Sequence, residues 1–247
     1  MNRISILMYH QVGHFVRPRS HRATFCEVRR FRAQMRALKL FGYRVITLDD
    51  ALACVEGRLD LGGDAVVLTF DDGYRNFADH AHPILQRLQL PATVFVVAGL
   101  IGDRARWLAA DGRAAPPLLD RDAILALRAA GVAFGSHTLS HPRLTRIDQP
   151  TRRREIEDSK ALLERLLGEE VRYFCYPSGD LDARVAAEVR AAGYRAALTC
   201  IRGSAGRADD PLLLPRKAIS YGDSLAGFFW KLHMKHGKKQ PSAGPAP

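Results

Sequence analysis

The sequence predicts an α/β fold, a single-domain irregular (β/α) barrel with about seven parallel strands. Short apolar runs such as 65–68 and 93–97 contain no alternating polar residues, which is typical of strands buried on both faces. Helical segments separate these runs, and repeated strand–helix alternation indicates a parallel sheet. Seven or eight such units in 247 residues favour a closed or nearly closed barrel, with an open doubly wound sheet as the alternative.

The predicted elements follow one another along the chain with short connections. Apolar runs predict strands over 4–9, 43–48, 65–68, 93–97, 132–135, 171–176, 196–199 and 217–220. Helical spacing and capping residues predict helices around 28–38, 51–56, 77–88, 120–130, 150–167 and 183–192. Residues 99–119 form a long irregular insertion, and insertions of that length in a compact domain are often functional. Residues 1–227 are predicted to form the barrel and 228–247 an aromatic and basic helix with a tail, in which 237–247 are predicted to be disordered.

Composition and charge exclude several classes of protein. The hydrophobic content of 47% is enough for one sizeable core. The net charge of +11 suits nucleic acid, anionic lipid or an acidic substrate. The arginines are spread over most of the predicted helices, and no helix-turn-helix, zinc-finger or aromatic-interleaved basic motif is present, so no nucleic-acid partner is predicted.

The sequence predicts a cytoplasmic protein. No apolar run approaches the ~20 residues of a membrane span. The first residues have too short an apolar run for a signal peptide, and no small-residue cleavage site follows. The four cysteines contain no C-x-x-C pair, which predicts buried thiols and neither disulfides nor a zinc cluster.

Two adjacent carboxylates, Asp71 and Asp72, directly follow a predicted buried strand and precede Gly73. Because side chains alternate across a strand, both acids reach the same side only if the backbone turns, and Gly73 permits that turn. The pair predicts either a functional site at the end of the strand or a polar strand end in which an Asp caps the next helix.

His137 and His141 lie at the end of a later predicted strand, four residues apart, so a helical or tightly turned segment places both imidazoles on one face. His10 and residues 176–179 also follow predicted strands, and in either topology these ends lie on one side of the sheet. Two histidines and one carboxylate form a three-ligand site for Zn²⁺ or a similar divalent ion. The remaining carboxylate can act as a general base on a water that the ion acidifies.

Five segments carry a resemblance to a known family, three of them at its main motifs. Residues 69–73 (TFDDG) and 137–141 (HTLSH) resemble the first two motifs of the polysaccharide deacetylases with a NodB-homology domain, carbohydrate esterase family 4. Residues 176–179 (YPSG) resemble the third motif, whose third residue is usually aromatic. Residues 7–10 (LMYH) and 214–216 (LPR) are similar to a branch of the family. The resemblance covers nearly the whole chain, with the motifs in the expected order.

The resemblance implies a NodB-like barrel and a role for each motif residue. Asp71 would be the catalytic base, and Asp72, His137 and His141 would bind the divalent ion, with Zn expected and Co, Ni or Mn as alternatives. The third motif implies that the backbone N–H of Ser178 helps to stabilise the oxyanion. The expected substrate groove also includes Tyr176, Pro177 and Gly179 of the third motif. Tyr74, which follows the acid pair, could line this groove or could simply pack.

Two family features have no clear match in the sequence. The arginine that orients the base could be Arg172, whose spacing to the third motif is one residue too long, or Arg216. The general acid has no clean counterpart, because Leu232 and His233 have the right letters but lie in a predicted surface helix. His10 is the preferred acid, and a histidine that is hydrogen-bonded in the core is the alternative interpretation.

The predicted activity is hydrolysis of an N-acyl group, expected to be acetyl, from an amino sugar. A serine at position 178 removes a stacking surface, so the substrate is expected to differ from chitin-like oligomers. Trp107 could form a sugar platform or could pack within its loop. The predicted location favours a glycan precursor or a lipid-linked sugar. A non-catalytic glycan-binding protein and a two-histidine, one-carboxylate iron oxygenase are the alternatives.

The C-terminal segment has two interpretations. Residues 228–232 (FFWKL) are aromatic and apolar, and His233, Lys235, Lys238 and Lys239 follow them. Such a helix could contact the inner face of an anionic membrane. Alternatively, it packs its aromatic side chains against the barrel and exposes a basic end to water.

Overall fold

The computed structural model describes residues 3–16, 18, 20–111 and 115–240, with only the backbone for 109–111. The strands are β1 (Ile4–Tyr9), β2 (Gln11–Gly13), β3 (Phe25–Glu27), β4 (Ala65–Phe70), β5 (Thr93–Val96), β6 (Ala133–Ser136), β7 (Tyr173–Cys175), β8 (Ala196–Arg202) and β9 (Leu214–Ala218). The α-helices are α1 (Val28–Leu40), α2 (Leu48–Val55), α3 (His82–Leu88), α4 (Arg121–Ala129), α5 (Gln149–Leu167), α6 (Ala183–Ala191) and α7 (Leu225–Met234).

Seven of these strands form a closed parallel barrel in the order β1-β4-β5-β6-β7-β8-β9. Pairing of Leu7 with Lys217 and of Met8 with Ala218 joins the first strand to the last. The short strands β2 and β3 form a separate parallel pair beside the barrel. The predicted fold class, a barrel of about seven parallel strands, is therefore confirmed.

Alternation along the strands divides the apolar residues between two cores. In β1, Ile4 and Ile6 belong to the cluster inside the barrel, whereas Leu7 and Tyr9 belong to the cluster between the strands and the helices. Phe95 fills the inside at β5, where a Cβ on Gly135 would lie only 2.5 Å from Phe95 Cε1. Apart from β9, which buries Arg216 and Lys217, the strands are thus largely apolar on both faces, which explains the apolar runs.

The predicted strand over 43–48 is wrong. In this segment only Val45 pairs with the barrel, in an isolated bridge to Val66. A helix begins at Leu48 because Thr47 and Asp50 form a capping box, in which the Thr47 hydroxyl accepts from the Asp50 N–H at 3.1 Å. The helix therefore starts three residues before the predicted position.

The C-terminal helix belongs to the same core as the barrel helices. Phe228 and Leu232 of α7 are buried in the cluster between strands and helices. Beyond α7, the backbone of Lys239 pairs with that of Arg202 by two hydrogen bonds, so the predicted disorder of 237–247 is wrong at Lys239. Residues 241–247 of the predicted tail lie outside the described residues. The domain division at residue 227 stays a prediction.

Candidate active site

The two acids leave the end of β4 in different directions. The Asp71 N–H donates to the Tyr9 carbonyl at 2.9 Å, so Asp71 continues the strand and its side chain faces into the barrel mouth. Asp72 and Gly73 then adopt left-handed conformations, with φ of 74° and 70°. A Cβ on Gly73 would lie 2.8 Å from Val96 Cγ1, so glycine is needed for both conformation and space. This turn lets two adjacent carboxylates reach one site.

Arg216 of β9 binds Asp71 in a bidentate geometry. Its Nη1 and Nη2 donate to Asp71 Oδ1 and Oδ2, each at 2.7 Å, and both side chains are buried. The Arg216 Nε donates to the Thr199 carbonyl at 2.9 Å, which fixes the plane of the guanidinium. Burial raises the pKa of Asp71, but the charge and hydrogen bonds of Arg216 outweigh it and hold that pKa below its usual range. Asp71 is therefore ionised and fixed in orientation.

Cys175 and His10 also approach Asp71. The Cys175 Sγ lies 3.5 Å from Asp71 Oδ2 and 3.1 Å from Arg216 Nη2, and burial raises the pKa of this thiol. The His10 Nε2 lies 4.0 Å from Asp71 Oδ2, while its buried Nδ1 has no hydrogen-bond partner among the described residues. Sequence reasoning assigned Cys175 only to the core, because nothing in its neighbours indicates a contact with Asp71.

Asp72, His137 and His141 form a compact triangle at the mouth. The Asp72 Oδ1 lies 3.3 Å from His137 Nε2 and 3.4 Å from His141 Nε2. Tetrahedral coordination with bonds of about 2.0–2.1 Å separates neighbouring ligand atoms by about 3.4 Å. One carboxylate oxygen and two imidazole nitrogens at this separation fit a divalent ion of the Zn type. Ligand atoms of all three residues lie within 4.8 Å of one another, so these residues would hold the ion.

A hydrogen bond of His137 and the pKa of His141 favour the same three ligands, Asp72, His137 and His141. His137 Nδ1 lies 2.7 Å from the Cys175 carbonyl, so Nδ1 carries a proton and Nε2 faces Asp72. Burial, followed by the nearby His137, lowers the pKa of His141 to about 4, which leaves its ring neutral. Asp71, His137 and Cys175 are also close enough to form a ligand set. In that set, however, Asp71 is already paired with the buried guanidinium of Arg216, whose positive charge disfavours a second cation there.

Glu155 holds the loop that carries the histidines. Its carboxylate accepts from the N–H groups of Leu139 and Ser140, each at 2.9 Å, and from the Ser140 hydroxyl at 2.5 Å. Within the loop, the Thr138 hydroxyl accepts from the His141 N–H at 3.0 Å. Thr138 and His141 have φ of 67° and 66°, so the segment is a tight turn held in sparsely populated conformations. Sequence reasoning did not identify Glu155, which lies in the middle of the charged helix α5.

The insertion after β5 covers one side of the mouth. Trp107 stacks on the His141 ring, with centroids 4.6 Å apart and planes inclined by 19°. Beneath it, Tyr74 packs with Ala105, Leu108 and Leu118 in a small separate core. Tyr74 is therefore a buried packing residue that also lines the cavity, and Trp107 lines the same cavity beside the histidines.

The third predicted motif forms the opposite wall. The cavity has a volume of about 370 Å³, and its lining includes Ser178 and Tyr176. Ser178 is exposed, with φ of 56°, and Pro177 beside it is buried. Gly179 packs so closely on Cys200 that a Cβ would lie 2.6 Å from the Cys200 Cβ. The Tyr176 hydroxyl donates to the Leu212 carbonyl at 3.0 Å, which anchors this wall.

Arg172 lies away from these residues. It sits at the start of β7, the opposite end of the strand from the mouth, and its Nη1 is 2.9 Å from Asp49 Oδ1. The prediction that Arg172 could orient Asp71 is therefore wrong, and the second predicted arginine, Arg216, makes the contact. The other predicted site residues line the mouth or support its walls.

The comparisons with known proteins agree with this geometry. Residues 58–197 match the sequence profile of the family described as polysaccharide deacetylase. YxkH, a candidate polysaccharide deacetylase of Bacillus subtilis (strain 168), is 25% identical over 226 residues, which cover 92% of this chain and 75% of YxkH.

Two solved structures superpose over almost the whole chain. The deacetylase PplD of Streptococcus pyogenes, solved in complex with acetate, has a TM-score of 0.80 at 26% identity, covering 94% of this chain and 98% of PplD. IcaB from Ammonifex degensii has a TM-score of 0.77 at 25% identity, covering 93% of this chain and 97% of IcaB.

Proposed function

Since the chain belongs to the polysaccharide deacetylase family, whose members are hydrolases of N-acetyl groups on carbohydrates, we propose that it is divalent-metal-dependent and deacylates an amino sugar. The observation that carries this proposal is the Asp72–His137–His141 triangle beside a carboxylate, Asp71, that Arg216 fixes. A bound divalent ion, Zn²⁺ by preference, would polarise the amide carbonyl and acidify a water. The acyl group is proposed to be acetyl, and the PplD complex with acetate supports this choice.

Asp71 is the proposed general base. Because its pKa lies below the usual range, it is ionised at neutral pH and can accept a proton from the attacking water. Arg216 occupies one hydrogen-bonding direction of each Asp71 oxygen, so the carboxylate cannot rotate and its remaining lone pairs face the mouth. Arg216 is thus a positioning residue and does not itself touch the substrate.

The walls of the cavity supply the other proposed roles. The backbone N–H of Ser178 is the proposed donor to the oxyanion, since the left-handed conformation of this residue places it at the rim of the cavity. His10 is the proposed general acid for the departing amine, because its Nε2 lies near Asp71 and its Nδ1 is unpaired among the described residues. Trp107 is the proposed platform for the sugar ring, beside the ligand His141.

The proposed substrate is a glycan precursor or a lipid-linked sugar, and the proposed compartment is the cytoplasm. No helix in the described part of the chain is long and apolar enough to cross a membrane. A peripheral contact through the C-terminal helix stays a prediction at this point, because the active-site geometry does not bear on it.

Release of acetate from metal-loaded protein tests the proposal. We expect Asp71→Asn to lower the rate by about 10²–10⁴-fold, the usual contribution of a general base, while bound metal stays at the wild-type level. Asp72→Asn should instead lose the metal together with the activity. Asp158→Asn, at an exposed position of α5, is the matched control and should change neither quantity.

Three outcomes would contradict the proposal. One is full activity of Asp71→Asn, and another is unchanged metal content in Asp72→Asn. The third is the absence of released acetate or formate across a panel of N-acylated sugars and lipid-linked sugars. Oxygen consumption with added Fe²⁺ in place of acyl release would indicate the iron oxygenase.

A further inference from the structure

Much of the excess positive charge is concentrated on one side of the molecule. Helix α1 contains five Lys or Arg and the segment 225–240 contains four, and neither contains an Asp or Glu. By contrast, α5 carries both signs, with Arg153 near Glu157 and Lys160 bound to Glu164. Arginines do occur in most of the helices, as expected, but in α1 no Asp or Glu of the same helix balances them.

These two segments form one continuous surface. The rings of Phe41 and Phe229 are in contact, with centroids 5.5 Å apart. Just beyond α1, the Tyr43 hydroxyl lies 2.5 Å from His233 Nε2. We define the α1–α7 surface as the exposed side chains of 29–41 and 225–239.

The α1–α7 surface also exposes most of the large apolar side chains that face water. Seven such side chains are exposed in the described part of the chain, and the other two are Val16 and Leu59. The five on this surface are Leu40 (80% exposed), Phe41 (64%), Leu225 (42%), Trp230 (55%) and Met234 (59%). They come from two segments that are far apart in the sequence and that the fold brings into contact at Phe41 and Phe229, so exposed apolar side chains are gathered on one flank of the molecule.

Basic groups flank this apolar cluster without partners of their own. The side chains of Arg32, Arg36, Lys39 and Lys235 make no hydrogen bond or ion pair with any described residue. Arg32 and Arg36 also line a cavity of about 260 Å³ between α1 and α3, together with Arg29 and Arg87. Asp79 is the one acidic residue among the described residues that line this cavity, so anions are favoured there.

We propose that the α1–α7 surface docks the protein on an anionic lipid bilayer. Exposed Trp, Phe, Leu and Met side chains insert at the level of the headgroups, and Lys and Arg bind the lipid phosphates around them. The arginine-lined cavity takes a phosphate-bearing headgroup. A nucleic acid would pair with the charges but would leave Leu40 and Met234 without an apolar partner.

The docked orientation leaves the active site accessible. Helix α7 packs beside β9, where Lys217 donates to the Leu232 carbonyl, and α1 packs against Tyr9 of β1 through Phe31. The surface therefore lies on the flank of the barrel, whereas the Asp72–His137–His141 triangle lies at its mouth. Docking does not depend on the proposed hydrolysis, and it is measured without substrate.

Flotation of the intact protein with vesicles tests the proposal. The vesicles contain phosphatidylcholine alone or phosphatidylcholine with about one third phosphatidylglycerol. The apolar variant carries Leu40→Gln, Trp230→Gln and Met234→Gln, and the basic variant carries Arg32→Gln, Arg36→Gln, Lys39→Gln and Lys235→Gln. The control variant loses the same charge from α5 and α6, across the barrel, through Gln at Arg153, Arg154, Arg165 and Arg184.

We expect wild type and control to float with the anionic vesicles and not with the neutral ones. Each Lys or Arg near an anionic surface contributes about 1 kcal/mol, so the basic variant should bind at least about tenfold more weakly. The apolar variant should fall by a similar factor. In protein that carries Trp107→Phe, the emission of Trp230 should shift to shorter wavelength and be quenched by brominated lipid.

Several results would overturn the proposal. Equal losses in the basic and control variants would show an effect of net charge alone. An unchanged apolar variant, or Trp230 emission that brominated lipid does not quench, would exclude insertion. Retention of a short DNA duplex without retention of anionic vesicles would assign the surface to nucleic acid. Unchanged circular dichroism and melting temperature in all variants exclude unfolding as the cause.

Discussion

Two neighbouring residues of β9, Arg216 and Lys217, are both buried cations, with relative exposures of 1% each. Alternation along the strand sends them to opposite faces. Arg216 points into the barrel and binds Asp71 through two charge-assisted hydrogen bonds. Lys217 points outward, beneath the end of α7, and no carboxylate contacts it among the described residues.

The surroundings of the two side chains shift their pKa values in opposite directions. The Lys217 Nζ donates to Ser5 Oγ and to the Leu232 carbonyl, each at 2.9 Å, and lies 3.3 Å from His236 Nδ1. All three partners are neutral acceptors, and burial lowers the pKa of Lys217 to about 8. For Arg216, Asp71 outweighs burial and raises the pKa further above its usual range.

Because they lie on opposite faces of β9 and have different partners, Arg216 and Lys217 have different functions. Arg216 orients a carboxylate at the proposed active site. Lys217 binds a carbonyl in the last turn of α7, where the free carbonyls and the helix dipole favour a cation. One strand thus holds the base inside the barrel and the docking helix outside it.

Replacing Arg216 should have the largest effect. Arg216→Met leaves Asp71 buried without its cation, and breaking a buried pair in this way lowers the free energy of unfolding by about 3–5 kcal/mol. The turnover number should fall by about 100-fold, because the base is misplaced while the substrate contacts remain. Urea unfolding and acetate release, with kcat and KM determined separately, measure the two effects.

Two further variants distinguish positioning from folding. Arg216→Lys keeps the charge but loses the bidentate geometry, so it should recover stability more than activity. In Arg216→Met, the acidic limb of the pH profile of kcat/KM should move to higher pH, because the pKa of Asp71 rises without the cation. Wild-type kcat in Arg216→Met would refute the positioning role.

Replacing Lys217 should have a smaller effect and should not change the chemistry. Lys217→Met removes the donor to the Leu232 carbonyl and to Ser5, and each unsatisfied buried acceptor lowers the free energy of unfolding by about 1–3 kcal/mol. Removal of a buried cation offsets part of this loss. We expect net destabilisation of about 1–2 kcal/mol, increased hydrogen exchange in α7 and an unchanged kcat. A fall in kcat with α7 still protected from exchange would contradict this division between the two faces.

The sequence was sufficient for the parts of the site that are written in short motifs. The acid pair, Asp71 and Asp72, is adjacent in the sequence, and the histidine pair, His137 and His141, is only four residues apart. Both pairs can therefore be recognised from a short stretch of sequence. The barrel was predictable because its strands are apolar on both faces. The strand expected over 43–48 failed because a local capping box at Thr47 started a helix instead.

The contacts that support the site could not be predicted, because they join distant parts of the chain. Glu155 binds the histidine loop from the middle of α5, and Cys175 meets Asp71 across 104 residues. The choice between Arg172 and Arg216 depends on their positions along the barrel, since Arg172 precedes β7 whereas Arg216 lies in the middle of β9 and points inward. Choosing between the two arginines from the sequence would require the register of β9 beside β8, where the pairing is irregular.

The pH dependence of the free energy of unfolding tests whether buried Lys217, unlike buried Arg216, loses its proton. Between pH 8 and 10.5, the unfolded chain binds more protons at Lys217 than the folded protein does, because folding lowers this pKa from 10.5 to about 8. The cost of burying the cation is therefore constant below about pH 7 and decreases as the pH rises through this window. We expect the free energy of unfolding of wild type, minus that of Lys217→Met, to increase by about 2 kcal/mol between pH 7 and 9.5.

Subtraction of the variant removes the titration of tyrosines and cysteines that both proteins share. Arg216 makes no contribution in this range, because its guanidinium stays protonated throughout. A difference that stays flat from pH 7 to 9.5 would mean that Lys217 keeps its proton when buried, as Arg216 does. The contrast between the two faces of β9 would then lie in geometry alone and not in charge.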